Sequence, residues 1–228
     1  MNHHLGGLTL TQAIETRQPS HLIRDYQNSI ATSRDAFNAI HKEETLFGAN
    51  AGAFQGNQAG PAESRPSAYE IFNAWANEEL KKLIAAKNSE KLTGMLSTQD
   101  AFDAWHACLL RSFDDNWNTH AREGYPLSRR QLHKLVNLFV KWLRIKVPAD
   151  IRALIEKHGH VPLNAPTLER LRDLLSDRTL VFPDNAVFDN WYTEVQTRIR
   201  AFTEGNGGSP LIVDVWCRAA SLGDPDAE

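Results

Sequence analysis

Five polar residues on one stretch are the first to suggest chemistry. From Ser128 to Lys146, at about 100° per residue, Arg130, Lys134, Asn137, Lys141 and Arg144 fall within an arc of about 80°. Leu132, Leu135, Val136, Phe139, Trp142 and Leu143 take the opposite side, and His133 lies at the edge of the basic arc. No acid occurs between Glu123 and Asp150. Such a stripe would lay cations along a phosphate backbone, with Asn137 adding a neutral hydrogen bond, or would meet an acidic protein surface. The plain alternative is the solvated face that any amphipathic helix must have.

Other constellations are weaker. His158-Gly159-His160 offers two imidazoles, but no nearby motif supplies a third and fourth ligand, so no metal is expected. The pair reads better as a helix end, with His158 at the negative pole and Gly159 in the left-handed cap conformation. Asp114-Asp115 follows Arg111, with Asn116 and His120 beyond, and reads as a polar helix end. Gly205-Asn206-Gly207-Gly208 has the composition of a phosphate-cradling loop but lacks the preceding strand and the Lys. Arg34 and His41 stand two turns apart on a predicted helix, with Asp35 after the Arg. This resembles the Arg–polar–His pattern of HEPN-type ribonucleases. The resemblance implies a metal-independent dimer in which His41 moves the 2′-hydroxyl proton and Arg34 steadies the phosphorane. Arg152 and His158 fit the spacing too, and chance alone supplies roughly two such matches in a chain of this composition.

The composition narrows the classes. The chain has 228 residues, 42% of them apolar, with 25 Lys and Arg against 28 Asp and Glu. That is too apolar for general disorder, and too balanced for whole-molecule attraction to nucleic acid or membrane. Cys108 and Cys217 lie among apolar residues, and no CxxC exists. There is no stretch of about 20 apolar residues and no apolar leader after Met1, so a cytoplasmic protein without a membrane partner is expected. Motifs for nucleotide binding, serine hydrolysis or zinc proteolysis are missing, and no cofactor is expected.

Helical periodicity dominates the elements that must carry these residues. A short helix is expected from Thr9 to Thr16 and a long one from His21 to about Glu44. Residues 46–66, rich in Gly, Ala and Asn, read as a flexible loop or linker. Capping residues Ser67, Ser97 or Thr98, and Ser128 open the next helices, and Pro148 and Pro166 two more. Asp184 or Asn185 caps the penultimate helix, and Ser209-Pro210 opens the last. Thr179–Phe182 and Leu211–Trp216 are the two places where a strand competes. The six Trp side chains fall on apolar faces and read as core. The expectation is an all-α fold, a single irregular bundle of about eight helices. Residues 1–45 form an N-terminal helical segment, 46–66 the loop, and 67–228 the main domain.

The string from His133 to Leu143 resembles a helix of an uncharacterised bacterial all-α family, in which a proline-bearing loop follows as Val161-Pro162-Leu163 does here. That family has no known activity to transfer; the resemblance singles out Asn137 among the cations. The reading that results is a non-enzymatic helical interaction protein. It binds nucleic acid or an acidic protein through Arg130, Lys134, Asn137, Lys141 and Arg144, and could pair with copies of itself. The HEPN-like ribonuclease of Arg34 and His41 and a structural subunit of a bacterial complex are the alternatives.

Overall fold

The computed structural model describes residues 20–40, 66–85, 89–121 and 126–222. The expected helix at Thr9–Thr16, His41, and the 46–66 loop up to residue 65 lie outside them. The described residues contain no strand and form an all-α bundle. In chain order the helices are α1 (Ser20–Ile40), α2 (Ala68–Ala85), α3 (Ser89–Leu96), α4 (Gln99–His120), α5 (Arg129–Leu143), α6 (Ala149–His158) and α7 (Ala165–Leu174). A 3-10 turn (Asn185–Val187) leads into α8 (Phe188–Asn206), and α9 (Pro210–Leu222) ends the series. None of the described helices is long and apolar enough to cross a membrane.

Three of the expected caps form, but Asp184 only precedes the 3-10 turn and makes no side-chain cap bond, and Asn185 Oδ1 accepts from Arg129 N instead. Ser67 and Glu70 exchange bonds, Thr98 accepts from Ala101 N, and Ser128 and Gln131 make a full capping box. α3 was not expected. It has eight residues and contains Gly94, so its local signal is weak; burial of Leu92 and Leu96 against α4 and α6 holds it. Gly159 also differs from expectation. Its φ of −61° is not left-handed. Glycine is needed there because a Cβ would lie 2.5 Å from Ile155 O and 3.2 Å from Leu211 Cδ1. Neither candidate strand forms. Leu211–Trp216 is helical, and Thr179–Phe182 is an irregular segment held by Arg172 Nε donating to Leu180 O and by Asp177 accepting from Thr179.

The core begins at α4, whose Phe102, Trp105, Leu109, Phe113 and Trp117 are all buried. Trp75 of α2 lies between Phe113 (ring centroids 4.7 Å) and Phe139 of α5 (5.0 Å). At the other end Tyr26 of α1 is fully buried against Phe202 and Trp216, and its hydroxyl donates to Gly207 O at 3.0 Å. Gly207 and Gly208 both have positive φ, and a Cβ on Gly208 would lie 2.3 Å from the Tyr26 Oη. The N-terminal helix is therefore keyed onto the α8–α9 turn. Five of the six Trp side chains are buried, and Trp191 packs partly buried against the core. Of the cysteines, Cys217 is buried but Cys108 is exposed, because it falls on the outer side of α4.

Helix α5 is the centre. From Leu132 to Leu143 every residue but Lys134 is buried. An amphipathic pattern predicts one open side; here α4 and α8 pack against the helix, and side chains from α6 and α9 reach it as well.

Candidate active site

Because α5 is enclosed, its polar residues must find partners inside the protein. Near its C-terminal end they are cationic. Lys141 Nζ meets Asp214 Oδ2 of α9 at 2.5 Å, with both side chains buried, and Arg144 Nη1 donates to Glu156 Oε1 of α6 at 2.8 Å. Towards its N-terminal end Arg129, His133 and Asn137, spaced i, i+4, i+8, face α4 and α8.

There a cavity of about 290 Å³ opens. α4 contributes Asp103, His106 and Arg111; α8 contributes Asp189, Tyr192, Gln196 and Arg200; the turn after α6 contributes His160. Each set follows helical spacing, so one face of each helix presents its polar residues together. His160 lies on no helix. It is placed by Gln196, whose Oε1 accepts from Val161 N and whose Nε2 donates to Val161 O, both at 2.9 Å. A buried side chain thus clasps the peptide next to the histidine.

Two Arg–Asp–His relays result. In one, Arg129 donates to both oxygens of Asp189 (3.0 and 2.7 Å), and Asp189 Oδ1 also accepts from His133 Nε2 at 2.9 Å. In the other, Asp103 Oδ1 accepts from His160 Nε2 and from Gln99 Nε2, each at 2.8 Å, while Arg200 Nη2 stands 3.9 Å from Asp103 Oδ2. His106 lies between the relays, with its ring centroid 4.5 Å from that of His160 and 5.8 Å from that of His133. Its Nε2 donates to Asn137 Oδ1 at 2.8 Å, and Asn137 Nδ2 donates to the Tyr192 hydroxyl at 2.6 Å. The Tyr192 ring packs 4.1 Å from His133.

Burial controls the protonation here. It pushes His133 down to about 4, against the opposing pull of Asp189. Burial also lowers His160, and lowers His106 further, where the other two histidines add to the effect. Burial alone would raise Asp103 and Asp189. Hydrogen bonds from His160 to the first, and from Arg129 and His133 to the second, outweigh it and leave both below the usual carboxylate range. At neutral pH the site holds ionised carboxylates and neutral imidazoles. A carboxylate on Nε2 fixes the proton there and leaves a lone pair on Nδ1. The Nδ1 atoms of His133 and His160 are buried without a hydrogen-bond partner, as is Arg200 Nη1. Among the described residues, no three His, Cys, Asp or Glu side chains are placed to hold a metal ion.

The expected basic surface needs correction. Asn137, Lys141 and Arg144 are 1%, 5% and 1% exposed, so they cannot meet an external partner. Lys134 is half-buried; Arg130 is exposed and stacks its guanidinium 3.8 Å over the Phe182 ring. The stripe is divided between the interior and a local contact because α5 is covered on more than its apolar side. His158 and His160 also separate. His158 Nδ1 bonds Gln99 Oε1 at 3.1 Å, and burial lowers rather than raises its pKa. Arg34 is exposed beside a different cavity, and its expected partner His41 lies outside the described residues. Arg152 donates to Arg144 O, away from His158. Of the acidic group on α4, Asp114 borders the imidazole cavity while Asp115 and His120 are exposed.

Sequence reasoning missed Asp103, His106, His133 as a base, Asp189, Tyr192, Gln196 and Arg200. The signal was in the i, i+3, i+4 spacing of polar residues on faces otherwise apolar, as in Asp103–His106 and Tyr192–Gln196–Arg200. Searches of family models, curated proteins and solved structures find no match to this chain.

Proposed function

We propose that the cavity between α4, α5 and α8 takes a small polar molecule and performs general acid–base chemistry on it. One observation carries this reading: two aspartate-anchored imidazoles, each with an unpartnered Nδ1, border one cavity beside an arginine with an unspent donor. Buried polar atoms normally find partners, and a cluster of exceptions around a cavity calls for a ligand. A neutral imidazole held by a carboxylate keeps a free lone pair at pH 7. Burial makes it a weak base on its own, and an anionic ligand beside it would raise its pKa and its strength as proton acceptor towards a reacting hydroxyl or water. Arg200, only loosely engaged by Asp103, is suited to the negative charge that develops as the proton leaves.

The test is the tautomeric state of the histidines. Long-range 1H–15N spectra of the full chain at pH 7 should show His133 and His160 as neutral rings protonated on Nε2. Assays with p-nitrophenyl acetate and bis(p-nitrophenyl) phosphate should then give turnover that His160→Gln abolishes while thermal unfolding stays near wild type. Rings protonated on Nδ1 would remove the bases and the reading with them.

A further inference from the structure

We propose a second binding site, for a terminal phosphate monoester, at the start of α9. A cavity of about 340 Å³ lies where α1, α6 and α8 meet the turn into that helix. Three cations border it from three different helices: Arg34 of α1, Lys157 of α6 and Arg200 of α8. The carboxylates on its wall are Glu156, already bonded to Arg144, and Glu204, which is exposed. α9 runs 13 residues from Pro210, and its positive end opens here.

Two buried side chains supply an independent sign of a ligand. Ser209 is 8% exposed and lines the cavity, yet its hydroxyl has no hydrogen-bond partner. His158 is 6% exposed, and its Nε2 also has none. Because Gln99 Oε1 accepts from His158 Nδ1, the neutral ring carries its lone pair on Nε2. A singly protonated phosphate matches both. It accepts from the Ser209 hydroxyl and offers its own P–OH to His158 Nε2, while its charge lies among Arg34, Lys157 and Arg200. The glycine-rich turn has the composition of a phosphate loop and acts without a preceding strand: Gly208, at φ +81°, takes a backbone shape that L side chains rarely adopt on the border of the cavity. The proposal stands apart from the imidazole cavity, with which it shares Arg200 alone.

The test uses the full chain with inorganic phosphate, phenyl phosphate and a 5′-phosphorylated oligoribonucleotide, each against chloride at matched ionic strength. Inorganic phosphate at tenfold excess over Kd should raise Tm by about 3 °C. The double variant Arg34→Gln/Lys157→Gln changes exposed residues, so it should unfold like wild type in chloride and bind phosphate at least tenfold more weakly. Ser209→Ala should weaken binding about tenfold or more, the loss of one hydrogen bond to a charged group. His133→Gln should bind phosphate as wild type does, which separates this site from the imidazole cavity. Tight binding of phenyl phosphate identifies a small phosphorylated molecule as the occupant. Preference for the phosphorylated oligonucleotide over its unphosphorylated form identifies a nucleic-acid end. No phosphate-specific shift in wild type, or an undiminished shift in the double variant, would overturn the proposal.

Discussion

Along α5, one helix buries polar groups in two different ways. Near its C-terminal end Lys141 lies against Asp214, two opposite charges out of water. At the other end His133 and Asn137 belong to a chain of neutral rings, amides and half-exposed carboxylates that ends in unpartnered nitrogens beside a cavity. The first arrangement is matched charge for charge and borders neither cavity. The second keeps hydrogen-bonding capacity in reserve. The contrast teaches that burial alone does not mark a site; burial with unspent valence next to a cavity does.

Breaking the ion pair should have the largest effect. Asp214→Ala leaves the Lys141 ammonium without this carboxylate in the interior, which costs about 3–5 kcal/mol. At about 2–4 °C per kcal/mol for a chain of this size, Tm should fall by roughly 10 °C in differential scanning calorimetry. A change under about 2 °C would mean that the pair is not sealed as the contacts imply.

Acid should strain the imidazole end next. His133, His106 and His160 have folded pKa values below that of a free imidazole, so the unfolded chain binds more protons and stability rises with pH. It is fully present above pH 6.5 and is lost as pH falls towards about 4, where His133 itself protonates. For His133 the change amounts to about 3 kcal/mol. Urea midpoints measured from pH 7.5 to 4.5 should fall steeply in wild type and less steeply in His133→Gln. Equal slopes would remove His133 from the account.

Much of the fold was legible because helix caps and apolar periodicity are local. Ser67 and Ser128 each name a helix start and form the bond, and of the pair Ser97 and Thr98 it is Thr98 that does so. The role of α5 was not legible, because periodicity shows which side is apolar but not how many neighbours surround the helix. Lys141 and Arg144 read as solvent-facing until Asp214 and Glu156, 73 and 12 residues away, come to meet them. The site was hidden for the same reason. Its partners pair across 31 to 57 positions, as His106 does with Asn137, His133 with Asp189 and His160 with Asp103. No spacing rule connects residues so far apart.

Gln196 tests whether the His160 end of the site is held in place or merely packed. Gln196→Leu keeps the volume but leaves Val161 N without its buried partner and Val161 O with only the 3.4 Å contact from Asn137. The cost should be about 2 kcal/mol, and the His160 ring resonances should shift with it. A stability loss without that shift would show packing alone.

The smallest effect should come from Asp189, and it is the most discriminating. Its side chain is 53% exposed, so its bonds to Arg129 and His133 are screened and contribute under about 1 kcal/mol. Asp189→Asn should therefore leave Tm within about 4 °C of wild type. Yet the carboxylate is what opposes burial at His133 and fixes its Nε2 proton. In the variant the His133 pKa should fall below its wild-type position near 4, and the ring should lose its fixed tautomer in 15N spectra. A structural carboxylate would change stability and spare the imidazole; a positioning carboxylate changes the imidazole and spares stability. The two outcomes exclude each other, so one variant decides whether the Arg129–Asp189–His133 relay serves the fold or the cavity.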